Sequence, residues 1–380
     1  MTFDVNARAP GKILWIGGYS VLERPNIGFV TTVKAYVNVN IKSNDWNGVE
    51  LNAPQLNMSA KGSVEVSSGK LNVDTPKELL LLKTAIEVAG RYASGTGAKI
   101  NGITVTTKND DQFSYSVSEG KVVKSGLGSS AALTVAAVAG VLKAFEVHAN
   151  KNQIHKLAQV AHSIATGKVG SGFDIAAATY GSIVYSRYSP DIVKNFPVDY
   201  TNEDLAKIVK KRWDYTVEKL SLPKELRLVF ANFVGEAMIT TAGVGSVSEF
   251  KKNNPDRYSE LVRSINDQNV KAVEALKKLG GGSTEAYALF EESFEKGRVF
   301  TKELGVLSGV GIEPNDCTKL IEGSKMNGAF LAKLPGAGGK DAIAALVLSR
   351  KDETRLKRYW KKNKALSLLK LKIGSMGLQY

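Results

Sequence analysis

The sequence of 380 residues holds a single cysteine, Cys317, which excludes an intramolecular disulfide and any cysteine-based zinc site. Histidine is almost as scarce. His148, His155 and His162 recur seven residues apart, a step of about 10 Å along a helix, too long for three side chains to share one ion. No apolar run approaches the roughly 18 to 20 residues a membrane span requires, and the opening "MTFDVNARAPGK" lacks the apolar core of a secretory leader. These absences predict a soluble chain in a reducing, cytoplasmic setting without a membrane partner. Acids are the scarcer charge, 37 against 51 Lys and Arg, and the formal surplus of +14 favours anionic partners such as nucleotides and phosphorylated metabolites. No nucleic-acid motif accompanies that charge, so nucleic acid is not expected as a partner.

With 43% apolar and 23% charged residues the chain can pack a core, and its length suggests two domains. "AYVNVNIKS" alternates Val37, Val39 and Ile41 with polar residues, the pattern of a half-buried strand. "ITVTTKNDDQFSYSV" reads as a β-hairpin turning at Asn109 to Asp111. In "DTPKELLLLKTAIEVAGRY", Thr75 and Glu78 predict a capping box with Pro76 in the first helical position. "SSAALTVAAVAGVLKAF" is apolar nearly all round, as a central buried helix would be. Strands are expected at "GSIVYSRY" and "LRLVFANF", helices from about 246 to 328, and a strand, glycine loop and strand in "GAFLAKLPGAGGKDAIAALVLS". The basic tail "RLKRYWKKNKALSLLKLK" reads as a solvated helix packed through Leu366, Leu368 and Leu369. A boundary in the polar stretch after 205 divides the chain into 1–205 and 206–380.

The chemistry gathers in "KSGLGSSAAL" at 124 to 133. Gly126 and Gly128 permit bare, close-approaching backbone, and Ser129 and Ser130 open a helix whose free N–H groups form an anion site suited to phosphate. Taken alone, the string could equally be a turn and a cap. It is neither a Walker loop nor a dinucleotide fingerprint. Two further glycine loops, "APGKILWIGGYSVLE" at 9 to 23 and "KLPGAGGKD" at 333 to 341, also interrupt strand-like sequence.

In that order, PGK, GLGSS and PGAGG resemble the three motifs of the GHMP kinase superfamily. The first motif, the Lys ahead of GLGSS, the string "GKVGSGFDIAAATYGSIVYSRY" and "GIEPNDCTKLIEGSKMNGAFLAKLPGAGGKD" are most similar to phosphomevalonate kinases. Two departures stand out: Lys340 replaces the last glycine of a usual GAGGGD, and "FVGEAMITTAGVG" matches its usual counterpart poorly.

The resemblance implies an α+β fold with a ribosomal-protein-S5-like N-terminal nucleotide-binding domain and a helix-rich, ferredoxin-like C-terminal domain, as a monomer or homodimer. It implies ATP and Mg2+ as cofactors and 5-phosphomevalonate as the small-molecule substrate. Lys12 and Asp174 would form the catalytic pair. Lys124, Gly126, Leu127, Gly128, Ser129, Ser130 and Ala131 would hold the nucleotide, with Ser130 at the metal. Gly18, Tyr19, Ser20, Lys168, Ser171, Gly172, Arg187, Gly336, Ala337 and Gly338 would surround the acceptor, Lys168 and Arg187 as candidates for its phosphate. The rival expectations are a mevalonate or other small-molecule kinase of the superfamily, and a non-catalytic ligand-binding protein on the same fold.

Overall fold

Alternating sequence builds the two longest strands, β1 (Asp4–Ile16) and β2 (Ile27–Ser43), which pair antiparallel. Val37, Val39 and Ile41 are fully buried on one face of β2, while Asn38 and Asn40 keep partial access to solvent. The computed structural model describes residues 2–46, 48–116, 122–234 and 240–380. After β2 come β3 (Gly48–Ala53), β4 (Met58–Glu65), β5 (Lys70–Asn72), α1 (Leu80–Gly95), β6 (Ile103–Asn109), β7 (Ser114–Ser116) and β8 (Val122–Lys124). The helices α2 (Ser129–Ala144), α3 (Lys151–Thr166) and α4 (Phe173–Tyr180) follow, then β9 (Ile183–Ser186), α5 (Asp191–Lys194), α6 (Asn202–Lys210) and β10 (Thr216–Lys219). Next are β11 (Arg227–Phe233), α7 (Thr240–Asn253), α8 (Pro255–Lys278), α9 (Thr284–Leu307), α10 (Asn315–Met326) and β12 (Leu331–Lys333). The chain closes with β13 (Ala342–Val347), α11 (Arg350–Lys361), β14 (Leu366–Leu369) and β15 (Ile373–Gly374).

Among the described residues the larger sheet runs β10-β9-β2-β6-β3-β4-β5, with β1 and β15 also on β2. The smaller runs β12-β13-β11-β14, and β7 pairs with β8. This is the α+β architecture expected. Helix α2 is buried from Ala131 through Leu142 apart from Leu133, and it packs against β1, β2, α1, α3 and α4, so it is the central helix its apolar sequence predicts. Helix α3 begins at a capping box, in which Asn150 Oδ1 accepts from the Gln153 amide at 3.0 Å and Gln153 Oε1 accepts from the Asn150 amide at 2.9 Å. Strands β10 and β15, both beyond residue 205, join the larger sheet.

Four local expectations are corrected. The segments β6 and β7 do not form a hairpin: β6 lies between β2 and β3, while β7 turns away to pair with β8. Thr75 does not cap a helix, because Pro76 is extended (ψ 152°) and a 3-10 turn at Lys77–Leu79 precedes α1. The basic tail is a helix only as far as Lys361. Leu366, Leu368 and Leu369 lie on β14, which covers the open edge of β11, and backbone pairing there prevails over helical periodicity. His148 lies ahead of α3 rather than on a shared helix face, and among the described residues no cluster of His, Cys, Asp or Glu suits a metal ion.

Candidate active site

Lys12 sits in β1 at a register shift between Pro10 and Lys12 that offsets the strand against β2. Its amide donates to the Leu127 carbonyl at 2.9 Å, and its Nζ donates to the Gly126 carbonyl at 2.9 Å. The first loop therefore holds the second through both ends of one residue. Gly128 has φ +81°, and a Cβ there would lie 3.0 Å from Lys12 Cε, so the lysine stem needs the bare backbone.

Gly128 also caps α2. The first helical bond runs from the Ala132 amide to the Gly128 carbonyl at 3.2 Å, so Ser129, Ser130 and Ala131 have amides without an acceptor inside the helix. Both serines are half-buried at this terminus. Their amides and hydroxyls fit a polyphosphate. Lys124 ends β8 beside the loop, and its side chain lies outside the described residues, as do residues 235–239 of "FVGEAMITTAGVG".

Asp174 occupies the first turn of α4, where its Oδ1 accepts from the Ile175 amide at 2.9 Å. The preceding Gly172 has φ +81° and packs so closely that a Cβ would meet Gln159 and Tyr185 at 2.7 and 2.9 Å. Gln159 Nε2 donates to the Gly172 carbonyl at 2.9 Å, and Tyr185 Oη donates to the Ser171 carbonyl at 3.2 Å. Ser171 and Gly172 are thus fixed from α3 and β9. Phe173 brings its ring to 5.8 Å from Lys12 Nζ.

Burial pushes the Lys12 ammonium below the ordinary lysine range, while the carboxylates of Asp174 and Asp341 favour its charge. Asp341 follows the third glycine loop. Burial raises its carboxyl, with Lys12 drawing it back down. A cation in the field of two carboxylates from distant parts of the chain, bonded to the loop that opens an anion-binding helix terminus, is an arrangement suited to phosphoryl transfer.

The three loops are tied together. Tyr19 Oη donates to the Ala337 carbonyl at 3.2 Å, and Gly18 stands so near α9 that a Cβ would lie 3.5 Å from Thr301. Gly336 and Gly338 have φ of +68° and +78°, and a Cβ on Gly338 would strike the Ile312 carbonyl at 2.2 Å.

Against this geometry, a family model described as GHMP kinases N terminal domain matches residues 81–182, from α1 to the residue before β9. Phosphomevalonate kinase of Candida albicans is 30% identical over 90% of this chain and 88% of its own length. The chain belongs to the phosphomevalonate kinase family. Another relative, named the peroxisomal phosphomevalonate kinase of Arabidopsis thaliana, is 29% identical over 96% of this chain and 94% of its own. A solved Streptococcus pneumoniae phosphomevalonate kinase in complex with phosphomevalonate and AMPPNP shares the fold, with a TM-score of 0.76 at 20% identity, covering 97% of this chain and 100% of that one.

In this family member the departure at Lys340 has a simple geometry. Among the described non-glycine residues only Asn57 and Glu146 have positive φ, so Lys340 needs no glycine-like backbone, and its side chain turns outward to Asp316 at 2.5 Å. Other predicted residues brace the loops. Ser20 Oγ donates to the Gly17 carbonyl at 2.6 Å and accepts from Asn269 Nδ2 at 3.1 Å. Arg187 is buried, and its guanidinium donates to the carbonyls of Leu22, Gly170 and Val169 at 2.8, 2.9 and 3.2 Å. Lys168 is exposed beside that turn.

Sequence reasoning missed Asp341 as a second carboxylate toward Lys12, although it closes the third motif. It also missed Asn232, whose Nδ2 donates at 3.2 Å to the carbonyls of both Ser125 and Asp341. The one available signal was an amide inside the apolar strand "LRLVFANF".

Proposed function

We propose that this protein transfers the γ-phosphoryl group of ATP to the phosphate of (R)-5-phosphomevalonate, giving (R)-5-diphosphomevalonate and ADP, a step of isoprenoid-precursor synthesis. The observation that carries the reading is Lys12, whose Nζ is bonded to the Gly126 carbonyl of the second glycine loop, with Asp174 and Asp341 favouring its charge. An oxygen of the acceptor phosphate attacks the γ-phosphorus, the bond to the bridging oxygen breaks, and ADP leaves with that oxygen.

The acceptor phosphate has a second pKa of about 6 and is mostly ionised at neutral pH. Little proton removal remains for a carboxylate to perform. Asp174 therefore positions Lys12 and the acceptor, and Lys12 neutralises charge between the two phosphates. The amides of Ser129, Ser130 and Ala131 cradle the nucleotide together with Gly126, Leu127 and Gly128. Gly336, Ala337 and Gly338 face the acceptor, with Tyr19 and Arg187 holding the surrounding loops.

Mg2+ fits the donor set, since Ser130 in the first turn of α2 and Asp174 in the first turn of α4 offer hard oxygens and this ion is commonly held by one or two protein oxygens plus phosphates. When bound, it would screen the charge of the phosphates. A division at 205/206 is also proposed, with β10 and β15 returning to the larger sheet of the first part and the site in the cleft between the two. A cytoplasmic setting is likewise proposed, in keeping with a single, buried thiol. No helix among the described residues is long and apolar enough to cross a membrane.

The test is turnover with ATP and Mg2+ against mevalonate, 5-phosphomevalonate, homoserine and galactose, with products identified by phosphorus NMR. A new diphosphate signal with 5-phosphomevalonate alone is expected. Turnover of mevalonate instead would make this a mevalonate kinase and restore Asp174 as a general base, and no turnover would favour a binding protein.

A further inference from the structure

Away from the glycine loops, an open recess of about 540 Å³ is lined by Asn152 and Lys156 of α3, Tyr180 at the end of α4, Arg212, Trp213 and Tyr215 of the following segment, and Val217 and Lys219 of β10. Its size is that of a small-molecule site. By contrast, the cavity beside Lys333 and Arg298, which Gly18 and Gly336 of the glycine loops also line, measures about 40 Å³, room for a few waters.

The lining of the recess is lopsided in charge: three cations and no carboxylate. The acids nearest in sequence are engaged elsewhere, Asp214 with Arg24 and Ser189, and Glu218 with Lys277 at 3.0 Å. Arg212 and Lys219 are exposed and form no ion pair with a described residue.

Lys156 is more unusual, being only 5% exposed with no carboxylate partner among the described residues. Its Nζ donates to the carbonyls of Val209 and Lys211 at 2.8 and 2.7 Å. An ammonium has three donors, so one is left over at the recess. Lys151 adds to the positive field, its charged form disfavoured by burial and by Lys219.

The body of the recess is aromatic. Tyr180 and Tyr215 join their hydroxyls at 2.8 Å, Tyr215 reaches Asn152 Oδ1 at 3.0 Å, and Trp213 is buried beside them. Beneath lies His155, fully buried, with neither ring nitrogen bonded to a described residue and its ring 4.6 Å from that of Tyr215. Aromatic and cationic groups together, with acids directed away, suit a ligand that is flat and apolar at one end and anionic at the other.

We propose that this recess is a second ligand site, separate from the phosphoryl-transfer site, which takes a small organic phosphate with an aromatic body. The separation follows from α4, which carries Asp174 in its first turn and Tyr180 at its end, six residues or about 9 Å along the axis.

The test is calorimetric titration of the full chain with 1-naphthyl phosphate, with and without saturating Mg-ADP, and with 1-naphthol and inorganic phosphate as partial probes. One saturable site is expected, unaffected by Mg-ADP and at least tenfold weaker for either partial probe. Affinity should also fall at least tenfold in Arg212→Ser/Lys219→Ser, two exposed positions whose replacement leaves kinase turnover as a check of folding. The single variants are expected to fall between. Absence of saturable binding, displacement by Mg-ADP, or equal affinity in the double variant would each overturn the proposal.

Discussion

The Asn232 side-chain amide donates to the Ser125 carbonyl at 3.2 Å, joining β11 of the smaller sheet to the residue that opens the second glycine loop. The same nitrogen reaches the Asp341 carbonyl, so one buried amide ties the second glycine loop to the residue that follows the third. Replacing Asn232 by Ala is expected to lower kcat by about tenfold or more and to cost about 1 to 3 kcal/mol of stability, since two carbonyls lose a donor. Steady-state kinetics and urea unfolding on the same preparation check both; full activity would remove Asn232 from the site's framework.

In the role proposed for it Lys12 acts as a cation, and burial lowers the pH at which it loses its proton. The pH profile of kcat/KM for ATP should therefore fall on its alkaline side below the ordinary lysine value of about 10.4. Bound phosphates restore the charge, so the corresponding limb in kcat lies at higher pH. Lys12→Arg is expected to abolish the limb while slowing turnover, because guanidinium does not fit the Gly126 carbonyl in the same way. Identical alkaline limbs in the two proteins would assign the titration to another group.

Two loop substitutions should behave oppositely. Gly128→Ala puts a Cβ 3.0 Å from Lys12 Cε at φ +81°, a backbone cost of about 1 to 2 kcal/mol, and is expected to raise the KM for ATP at least tenfold. Lys340→Gly removes only an exposed pair with Asp316, worth less than about 1 kcal/mol, and should leave kcat within about twofold. Thermal melts and initial rates of both variants decide the comparison.

His155 offers a test by pH. Burial holds its imidazole down at about 3, against 6.5 for a free histidine. Between those values the unfolded chain binds a proton the folded chain refuses, so stability falls as pH drops below 6.5 and continues to fall to about 3. At pH 4.5 the loss from this one group is about 2 to 3 kcal/mol. His155→Phe should flatten that part of the acid limb and be at least as stable at pH 7, since two unbonded buried nitrogens are removed. An unchanged difference between urea midpoints at pH 7 and 4.5 would show that other groups govern acid sensitivity.

The parts legible in the sequence are those specified locally. The alternation around Val37 to Ile41, the all-apolar helix after Ser130 and the glycine loops each carry their own backbone requirement. Gly128 needs positive φ whatever lies across from it. The hairpin expected at 103–117 does not form because β6 is claimed by β2 and β3, partners distant in the chain, while turn chemistry at Asn109 to Asp111 speaks only of near neighbours. Leu366 to Leu369 fit a helix face as well as a strand, and only the unpaired edge of β11 decides between them. Asn232 could not be seen as a partner of Ser125, nor Asp341 as a carboxylate whose charge acts on Lys12, from spacing alone, because these relations arise only when the two sheets meet.

Strand β15 lies against Thr32 and Val33 of β2, next to the point where β1 slips register at Lys12, and Gln379 bonds back to Arg8 through both main chain and side chain. During synthesis the first strands therefore wait for residues more than 300 positions later before their sheet is complete. Until then the segment of β2 nearest Lys12 keeps unsatisfied edge groups, open to wrong partners. The nascent chain cannot assemble a working site from its early residues alone, and a tag or truncation that disturbs residues 373–379 should act on the refolding yield before it acts on the finished enzyme.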